Sequence, residues 1–258
     1  MLVVVDIGNT NITLGIYHQD DLIGTYRMTT KKESTSDEYG VLLIEFLHMS
    51  NVHTKDVKDV IISSVVPNIN YSFSSACIKY LKKKPIFVGP GIKTGINIKI
   101  DNPGSLGADR LVDAAGAYYK YGGPCIVIDF GTATTYDVVS DKGEFIGGAT
   151  AAGIGITAKA LSSMAAQLPE IEIKKPDKIT AKNTIHSMQA GVVYGYIGQT
   201  EYIISKLKEE YEKELKVVST GGLGKVISNE TKLIDIYDPN LTFYGLKIIY
   251  DKNNGVTK

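Results

Sequence analysis

The chain has 258 residues, 43% of them hydrophobic and 22% charged, a composition typical of a globular protein with one large or two modest domains. Its 28 basic residues balance its 28 acidic residues, which excludes a net charge that would draw it to nucleic acid or to a membrane surface. It has two cysteines, no visible secretory signal and no run of the about 18 apolar residues that span a membrane, so we expect a cytoplasmic protein.

The first half of the chain predicts three strands followed by alternating helices and strands. The predicted strands cover residues 2–6, 10–17, 21–29, 60–66 and 86–88. A capping pattern at 35–38 opens the first helix, and apolar periodicity predicts further helices at 71–83 and 108–121. We assign residues 1–118 to an N-terminal α/β domain.

The second half repeats this order of elements. Its predicted strands cover 125–129, 134–140, 144–147, 216–219 and 233–236, and its longer predicted helices cover 154–167, 184–214 and about 240–250. A strand triplet followed by α/β units, written twice, indicates two mixed sheets with helices on their faces. We therefore assign residues 119–258 to a second domain of the same kind, whose final helix could pack back on the first.

One pattern occurs in both halves: an apolar run, then Asp-x-Gly, with a threonine one or two positions further on. Asp6 and Gly8 carry the first copy, and Asp129 and Gly131 carry the second. Such a turn can bind phosphate through backbone N–H groups while its aspartate faces a hydrated cation. Each copy alone is equally compatible with an ordinary hairpin turn, but two copies suggest a duplication with a cleft between the halves.

Two other segments have a functional and a structural interpretation. In the segment 107–110, Asp109 and Arg110 open a helix, where the acid either complements the helix dipole or acts as a general base beside a cation. A strand followed by Thr220-Gly221-Gly222 either packs bare backbone against a flat ligand or simply enters a helix. Neither a P-loop nor a dinucleotide-binding glycine pattern is present in the sequence.

Together these segments resemble type III pantothenate kinases over about residues 2 to 250. The resemblance rests on the order and spacing of Asp6-Ile7-Gly8-Asn9-Thr10-Asn11-Ile12, Gly107-Ala108-Asp109-Arg110, Asp129-Phe130-Gly131-Thr132-Ala133-Thr134-Thr135, Gly147-Gly148 through Leu168-Pro169, and Thr220-Gly221-Gly222. That family belongs to the acetate/sugar kinase, Hsp70 and actin superfamily. The resemblance implies an α/β fold of two duplicated ribonuclease-H-like domains, each a mixed sheet flanked by helices, with the nucleotide cleft between them.

The resemblance also implies an activity and its cofactors. The activity is ATP-dependent phosphorylation of pantothenate to 4′-phosphopantothenate, the first step of coenzyme A biosynthesis, in a homodimer that needs Mg²⁺ and a monovalent cation, K⁺ or NH₄⁺. Asp109 would be the catalytic base, Asp6 would address magnesium and Asp129 the monovalent cation. The implied ATP-binding residues are Asp6, Ile7, Gly8, Asn9, Thr10, Asn11, Ile12, Thr13 and Thr132. The implied pantothenate-binding residues are Ile100, Gly107, Ala108, Asp109, Arg110 and Thr184.

The chain departs from the family pattern at three positions. Ile100 stands where the family usually has a tyrosine before Asp-Asn-Pro, Asp113 where it often has Asn, and Ala152 where it has Pro. Ile100 removes an aromatic hydroxyl from the implied acceptor site, whereas Ala152 relaxes a turn without deleting a chemical group. Two alternatives stay open: a catalytically inactive homologue with an accessory regulatory role, and a superfamily kinase acting on another small hydroxylated acceptor.

Overall fold

A computed structural model describes residues 1–211 and 213–255; the last three positions of the predicted second domain lie outside this range. The chain divides into two units. The first comprises Met1–Gly95, Asn102–Gly116 and the chain from Thr242 onward, and the second comprises Ile96–Asp101 and Ala117–Leu241. None of the helices among the described residues has both the length and the apolar character needed to cross a membrane.

The first unit is built on a five-stranded mixed sheet of order β3-β2-β1-β4-β5. Strands β1, β2 and β3 are antiparallel neighbours, whereas β4 runs parallel to both β1 and β5. The apolar side chains of β1 are buried on both faces of the sheet, as expected for a central strand that is covered by helices. The strands are β1 (Leu2–Ile7), β2 (Asn11–His18), β3 (Asp21–Thr29), β4 (Asp59–Ser64) and β5 (Ile86–Phe87).

Four α-helices contribute to the described part of the first unit. The first, α1 (Ser36–Met49), begins with the predicted capping box, in which Thr35 and Glu38 exchange hydrogen bonds. A one-turn π-helix, Cys77–Leu81, extends α2 (Pro67–Ala76). Helix α3 (Ala108–Tyr121) contributes its residues up to Gly116, and α7 (Leu241–Asn253) its residues from Thr242. Side chains of α1 and α2 pack with the strands in one apolar core.

The second unit has a six-stranded sheet of order β11-β10-β7-β8-β9-β6. Its strands are β6 (Asn97–Ile98), β7 (Cys125–Phe130), β8 (Ala133–Val139), β9 (Glu144–Ala152), β10 (Lys216–Thr220) and β11 (Ile236–Tyr237). Its helices are α4 (Ile154–Met164), α5 (Thr184–Glu210) and α6 (Gly224–Ser228). The apolar side chains of α4 and α5 pack on β7 and β8 and form the core of this unit.

The two sheets have the same topology, which supports the predicted duplication. Strands β7, β8, β9, β10 and β11 repeat the order and direction of β1 to β5, and β6 is an additional edge strand that pairs with β9. Each aspartate of the repeated pattern is the penultimate residue of its central strand. Asp6 lies opposite Thr13 and Ser63, and Asp129 lies opposite Thr135 and Thr220.

Several predicted boundaries differ from the structure. Strand β4 ends at Ser64, and α2 begins at Pro67 rather than near residue 71, because proline is favoured at the first position of a helix. Helix α5 ends at Glu210, before the predicted end at Glu214, and position 212 lies outside the described residues. Strand β11 starts three residues later than predicted, and the two-residue β6 has too short a pattern to be recognised in the sequence.

Candidate active site

The first Asp-x-Gly turn joins β1 and β2 in the first unit. The Gly8 N–H donates to the Asn11 carbonyl oxygen at 3.0 Å, and a Cβ on Gly8 would lie 3.1 Å from that oxygen. Thr30 stabilises the turn from the end of β3, since its hydroxyl donates to Gly8 O at 2.7 Å and its N–H to Thr10 O at 3.0 Å. The side chains of Asn9 and Thr10 are exposed at the tip. All eight predicted residues from Asp6 to Thr13 therefore belong to one anchored hairpin with an open tip.

Asp6 is partly buried in the same unit, and its Oδ1 is inaccessible to solvent. Burial raises its pKa to about 7, the negative charge of Asp109 acts in the same direction, and the nearby Ser63 hydroxyl opposes the rise. Among the described residues, neither Asp6 Oδ1 nor Ser63 Oγ has a hydrogen-bond partner. Buried polar atoms are normally satisfied, so these two atoms indicate a place where a polar or charged ligand belongs.

Asp109 lies in the first turn of α3, also in the first unit. Its Oδ1 accepts a hydrogen bond from the Arg110 N–H at 2.8 Å, which is the helix-terminal interaction that one sequence interpretation anticipated. A Cβ on Gly107 would lie 2.4 Å from the same oxygen, so Gly107 leaves space for the carboxylate. Burial raises the pKa of Asp109, and Arg110 opposes this rise through its backbone N–H and its charge. A partly buried carboxylate that has a perturbed pKa and lies beside a second carboxylate is a frequent property of catalytic sites.

The second Asp-x-Gly turn joins β7 and β8 in the second unit, and glycines surround its aspartate. A Cβ on Gly221, which has φ of +94°, would lie 2.5 Å from Asp129 Oδ1, and a Cβ on Gly131 would lie 3.0 Å from Asp129 Oδ2. The predicted Thr220-Gly221-Gly222 segment thus lies against the Asp129 turn, because β10 pairs in parallel with β7. Thr132 is exposed at the tip of this turn, and the Gly153 N–H donates to its carbonyl oxygen at 3.1 Å.

A buried tyrosine of α5 supports this second hairpin. The Tyr196 hydroxyl makes hydrogen bonds to Thr134 Oγ1 and to the Ala152 carbonyl oxygen, the latter at 3.0 Å. It therefore connects the start of β8 to the end of β9. Burial raises the pKa of Tyr196 to about 12, so the hydroxyl keeps its proton and remains a donor at neutral pH. No local pattern around Tyr196 indicates this role, because its partners lie more than forty residues away in the chain.

The remaining predicted acceptor residues occupy separate elements. Gly107, Ala108 and Arg110 lie with Asp109 at the start of α3 in the first unit. Ile100 follows β6 in the second unit and is partly buried. Thr184 is the first residue of α5 and is exposed, after the N-cap Asn183, whose side chain accepts from the His186 N–H at 2.9 Å.

The two aspartates of the Asp-x-Gly turns are compatible with cations that need only one or two carboxylates from the protein. Within residues 1–211 and 213–255, no three His, Cys, Asp or Glu side chains come together as a metal site. Asp6 nevertheless fits magnesium, which keeps several waters and needs one or two protein carboxylates, because its Oδ1 and Ser63 Oγ are unsatisfied. Gly131 and Gly221 leave room beside the Asp129 carboxylate, because a Cβ at either position would lie 3.0 Å or less from one of its oxygens.

Solved structures of other proteins share this fold. A protein from Campylobacter jejuni described as a Baf family transcriptional activator matches with a TM-score of 0.62 and 21% identity, over 98% of this chain and 99% of that one. The activator of 2-hydroxyisocaproyl-CoA dehydratase from Clostridium difficile, with bound ADPNP, matches with a TM-score of 0.55 and 12% identity, over 100% and 98%. These likenesses support the predicted class of the protein, an α/β fold of two mixed sheets flanked by helices.

Sequence comparison assigns the family within this class. The family model of type III pantothenate kinases matches residues 2–206. A type III pantothenate kinase from Agathobacter rectalis is 58% identical over 255 residues, covering 98% of each chain. Another from Bifidobacterium longum is 55% identical over 254 residues, covering 98% of this chain and 99% of the relative. The chain belongs to the type III pantothenate kinase family, which confirms the resemblance seen in its motifs.

Proposed function

We propose that this protein transfers the γ-phosphoryl group of ATP to the hydroxyl group of pantothenate and so forms 4′-phosphopantothenate, the first step of coenzyme A biosynthesis. Family membership supports this activity, and one structural observation carries its chemistry. That observation is the partly buried Asp109 carboxylate, which has a raised pKa and lies close enough to Asp6 for their charges to interact. Transfer to an alcohol needs a carboxylate that accepts the hydroxyl proton beside groups that bind phosphate and its cation.

Asp109 acts as the proton acceptor in this proposal. Its raised pKa makes it a better base than an exposed aspartate, because the basicity of a carboxylate rises with its pKa. The Arg110 N–H orients one carboxylate oxygen at 2.8 Å, and Gly107 keeps the space beside it open. Gly107, Ala108, Arg110, Ile100 and Thr184 bind pantothenate in the proposal, and Ile100 makes an apolar contact where the family usually has a tyrosine.

The two hairpins bind ATP in this proposal. Backbone N–H groups of the first turn, within Asp6 to Thr13, bind phosphate, and Thr132 of the second turn contacts phosphate through its exposed hydroxyl. Asp6 would hold magnesium, and Asp129 would hold K⁺ or NH₄⁺. When bound, these cations supply positive charge that neutralises the phosphate oxygens.

We also propose that the active protein is a homodimer. Large apolar side chains that are exposed on the second unit support this, because apolar surface is what a contact with a second copy would bury. They lie on α4 and α5 and include Ile156, Leu161, Met164, Ile185 and Tyr202. A monomer by light scattering at micromolar concentration would contradict the dimer.

An ADP-release assay across several acceptors tests the proposed activity. Pantothenate, acetate, sugars and water are each offered with MgATP, in the presence and absence of K⁺ or NH₄⁺. We expect ADP release with pantothenate well above the rate with water, and stimulation by the monovalent cation. Release with a sugar or acetate alone would identify another acceptor, and release with none of the acceptors would indicate an accessory role.

A further inference from the structure

Ser63 occupies an unusual position at the end of β4. The three preceding residues, Val60, Ile61 and Ile62, are all buried and apolar, and Ser63 is equally inaccessible to solvent. In the parallel pairing of β1 with β4, Ser63 is the residue directly opposite Asp6. A hydroxyl group is therefore buried beside the carboxylate that we assign to magnesium.

Neither polar atom is satisfied by the protein. Ser63 Oγ and Asp6 Oδ1 are both buried, and both lack a hydrogen-bond partner among the described residues. An unsatisfied buried hydroxyl costs free energy that an alanine at the same position would not cost. This cost is offset if the hydroxyl meets a polar partner in a ligand-bound state of the protein.

The same juxtaposition occurs in the second unit. Thr220 lies directly opposite Asp129 in the parallel pairing of β10 with β7, and Thr220 is also buried. Both sheets thus place a hydroxyl-bearing residue beside the aspartate of the repeated turn, at the last or penultimate position of the neighbouring strand. This repetition is independent of the unsatisfied atoms and points to a role tied to the aspartates.

We propose that Ser63 is a positioning residue that acts through Asp6. Its hydroxyl orients the Asp6 carboxylate and hydrogen-bonds within the hydration shell of the divalent cation that Asp6 holds. Magnesium retains several of its waters when it binds protein carboxylates, so a neighbouring hydroxyl has water molecules to contact. Groups of this kind, which orient the ligating residue, typically contribute tenfold or more to metal affinity. This inference rests on the proposed function only through the assignment of magnesium to Asp6.

The test measures cation binding rather than turnover. Mn²⁺, which electron paramagnetic resonance detects directly, is titrated into the full-length protein saturated with ADP, and thermal unfolding is followed in EDTA. We expect Ser63→Ala to weaken Mn²⁺ binding about tenfold while leaving the unfolding temperature in EDTA unchanged or higher. Ser63→Thr, which keeps the hydroxyl, should retain affinity close to that of the wild type.

Ser64→Ala is a matched control one residue away. The Ser64 hydroxyl already has protein partners, because it donates to Asn70 Oδ1 at 2.6 Å and accepts from the Val66 N–H at 3.2 Å. Its removal should lower the unfolding temperature without changing Mn²⁺ affinity. A Ser63→Ala protein that unfolds earlier in EDTA yet binds Mn²⁺ normally would overturn the proposal and assign Ser63 a structural role.

The Asp6→Asn variant tests the assignment of magnesium to Asp6 separately from the proposed role of Ser63. If Asp6→Asn weakens Mn²⁺ binding and Ser63→Ala does not, the role of Ser63 is wrong and Asp6 keeps its assignment. If neither substitution changes Mn²⁺ binding, the assignment of the divalent cation to Asp6 is wrong as well. Phosphorylation of pantothenate by the wild type would stand in both cases.

Discussion

Asp109 lies close enough to Asp6 in the first unit for its charge to raise the pKa of the Asp6 carboxyl, in addition to the larger effect of burial. Asp6 comes from the end of β1, and Asp109 comes from the first turn of α3, more than one hundred residues later. Two partly buried carboxylates in proximity repel one another when both are ionised. Cation binding at Asp6 would relieve that repulsion and keep Asp109 available as a base.

The raised pKa of Asp6 predicts a pH-dependent stability. In EDTA, the folded protein holds this proton up to about pH 7, whereas the unfolded chain releases it near the ordinary aspartate pKa of 3.8. Stability from this group is therefore full below about pH 4 and is lost as the pH rises to about 7. An asparagine at this position does not ionise, so the Asp6→Asn variant does not lose stability in this way as the pH rises. The free energy of unfolding of the variant, relative to that of the wild type, should therefore increase between pH 4 and pH 8, by up to about 4 kcal/mol. Urea denaturation at both pH values measures this difference, and an equal difference at pH 4 and pH 8 would contradict the shift.

Asp109→Asn should abolish most turnover without affecting nucleotide binding. Loss of a general base typically lowers the rate about 10²–10⁴-fold. Asp113→Asn is the matched control, since Asp113 is buried in the same helix but accepts from the Thr242 hydroxyl at 2.7 Å, and the family often has Asn there. Steady-state kinetics and ADP titration measure the two effects. Equal rates for Asp109→Asn and wild type would refute the assignment of the base.

Tyr196→Phe should destabilise the hairpin of the second Asp-x-Gly turn, which joins β7 and β8. The substitution leaves Thr134 Oγ1 and the Ala152 carbonyl oxygen without the tyrosine hydroxyl, in a buried environment. We expect a loss of about 1–3 kcal/mol in unfolding free energy and a higher KM for ATP. Tyr202→Phe on the same helix is the control, because Tyr202 is 66% exposed. An unchanged KM with reduced stability would restrict Tyr196 to a structural role.

Gly221→Ala should disturb the Asp129 site. Gly221 has φ of +94°, and its Cβ would lie 2.5 Å from Asp129 Oδ1 and 2.6 Å from the Phe130 backbone. We expect a higher concentration of K⁺ or NH₄⁺ for half-maximal activity and a loss of about 1–3 kcal/mol in stability. Gly191→Ala in α5, where a Cβ would meet no atom within 4 Å, should leave both quantities unchanged or raise stability slightly. If Gly221→Ala and wild type need the same concentration of K⁺ or NH₄⁺, Gly221 has no influence on cation binding at Asp129.

Local sequence signals predicted most elements of the fold. The capping box of Thr35 and Glu38, the bounds of α3 and the two Asp-x-Gly hairpins appear as expected, because caps, periodicity and turn residues act within a few positions of one another. The family was likewise predicted and confirmed, since the order and spacing of the motifs identify it. The roles of the individual site residues stay predictions.

The sequence by itself therefore determined the elements, the repeated turn and the family of this protein. Two relationships depend on strand pairing and could not be predicted from the pattern of residues. Ser63 lies beside Asp6, and Gly221 packs against Asp129. Helix packing likewise placed the Tyr196 hydroxyl against Thr134. These contacts join residues far apart in the chain, and their register depends on the burial of whole strand and helix faces. No local run of residues encodes such a register, so only the tertiary structure could supply it.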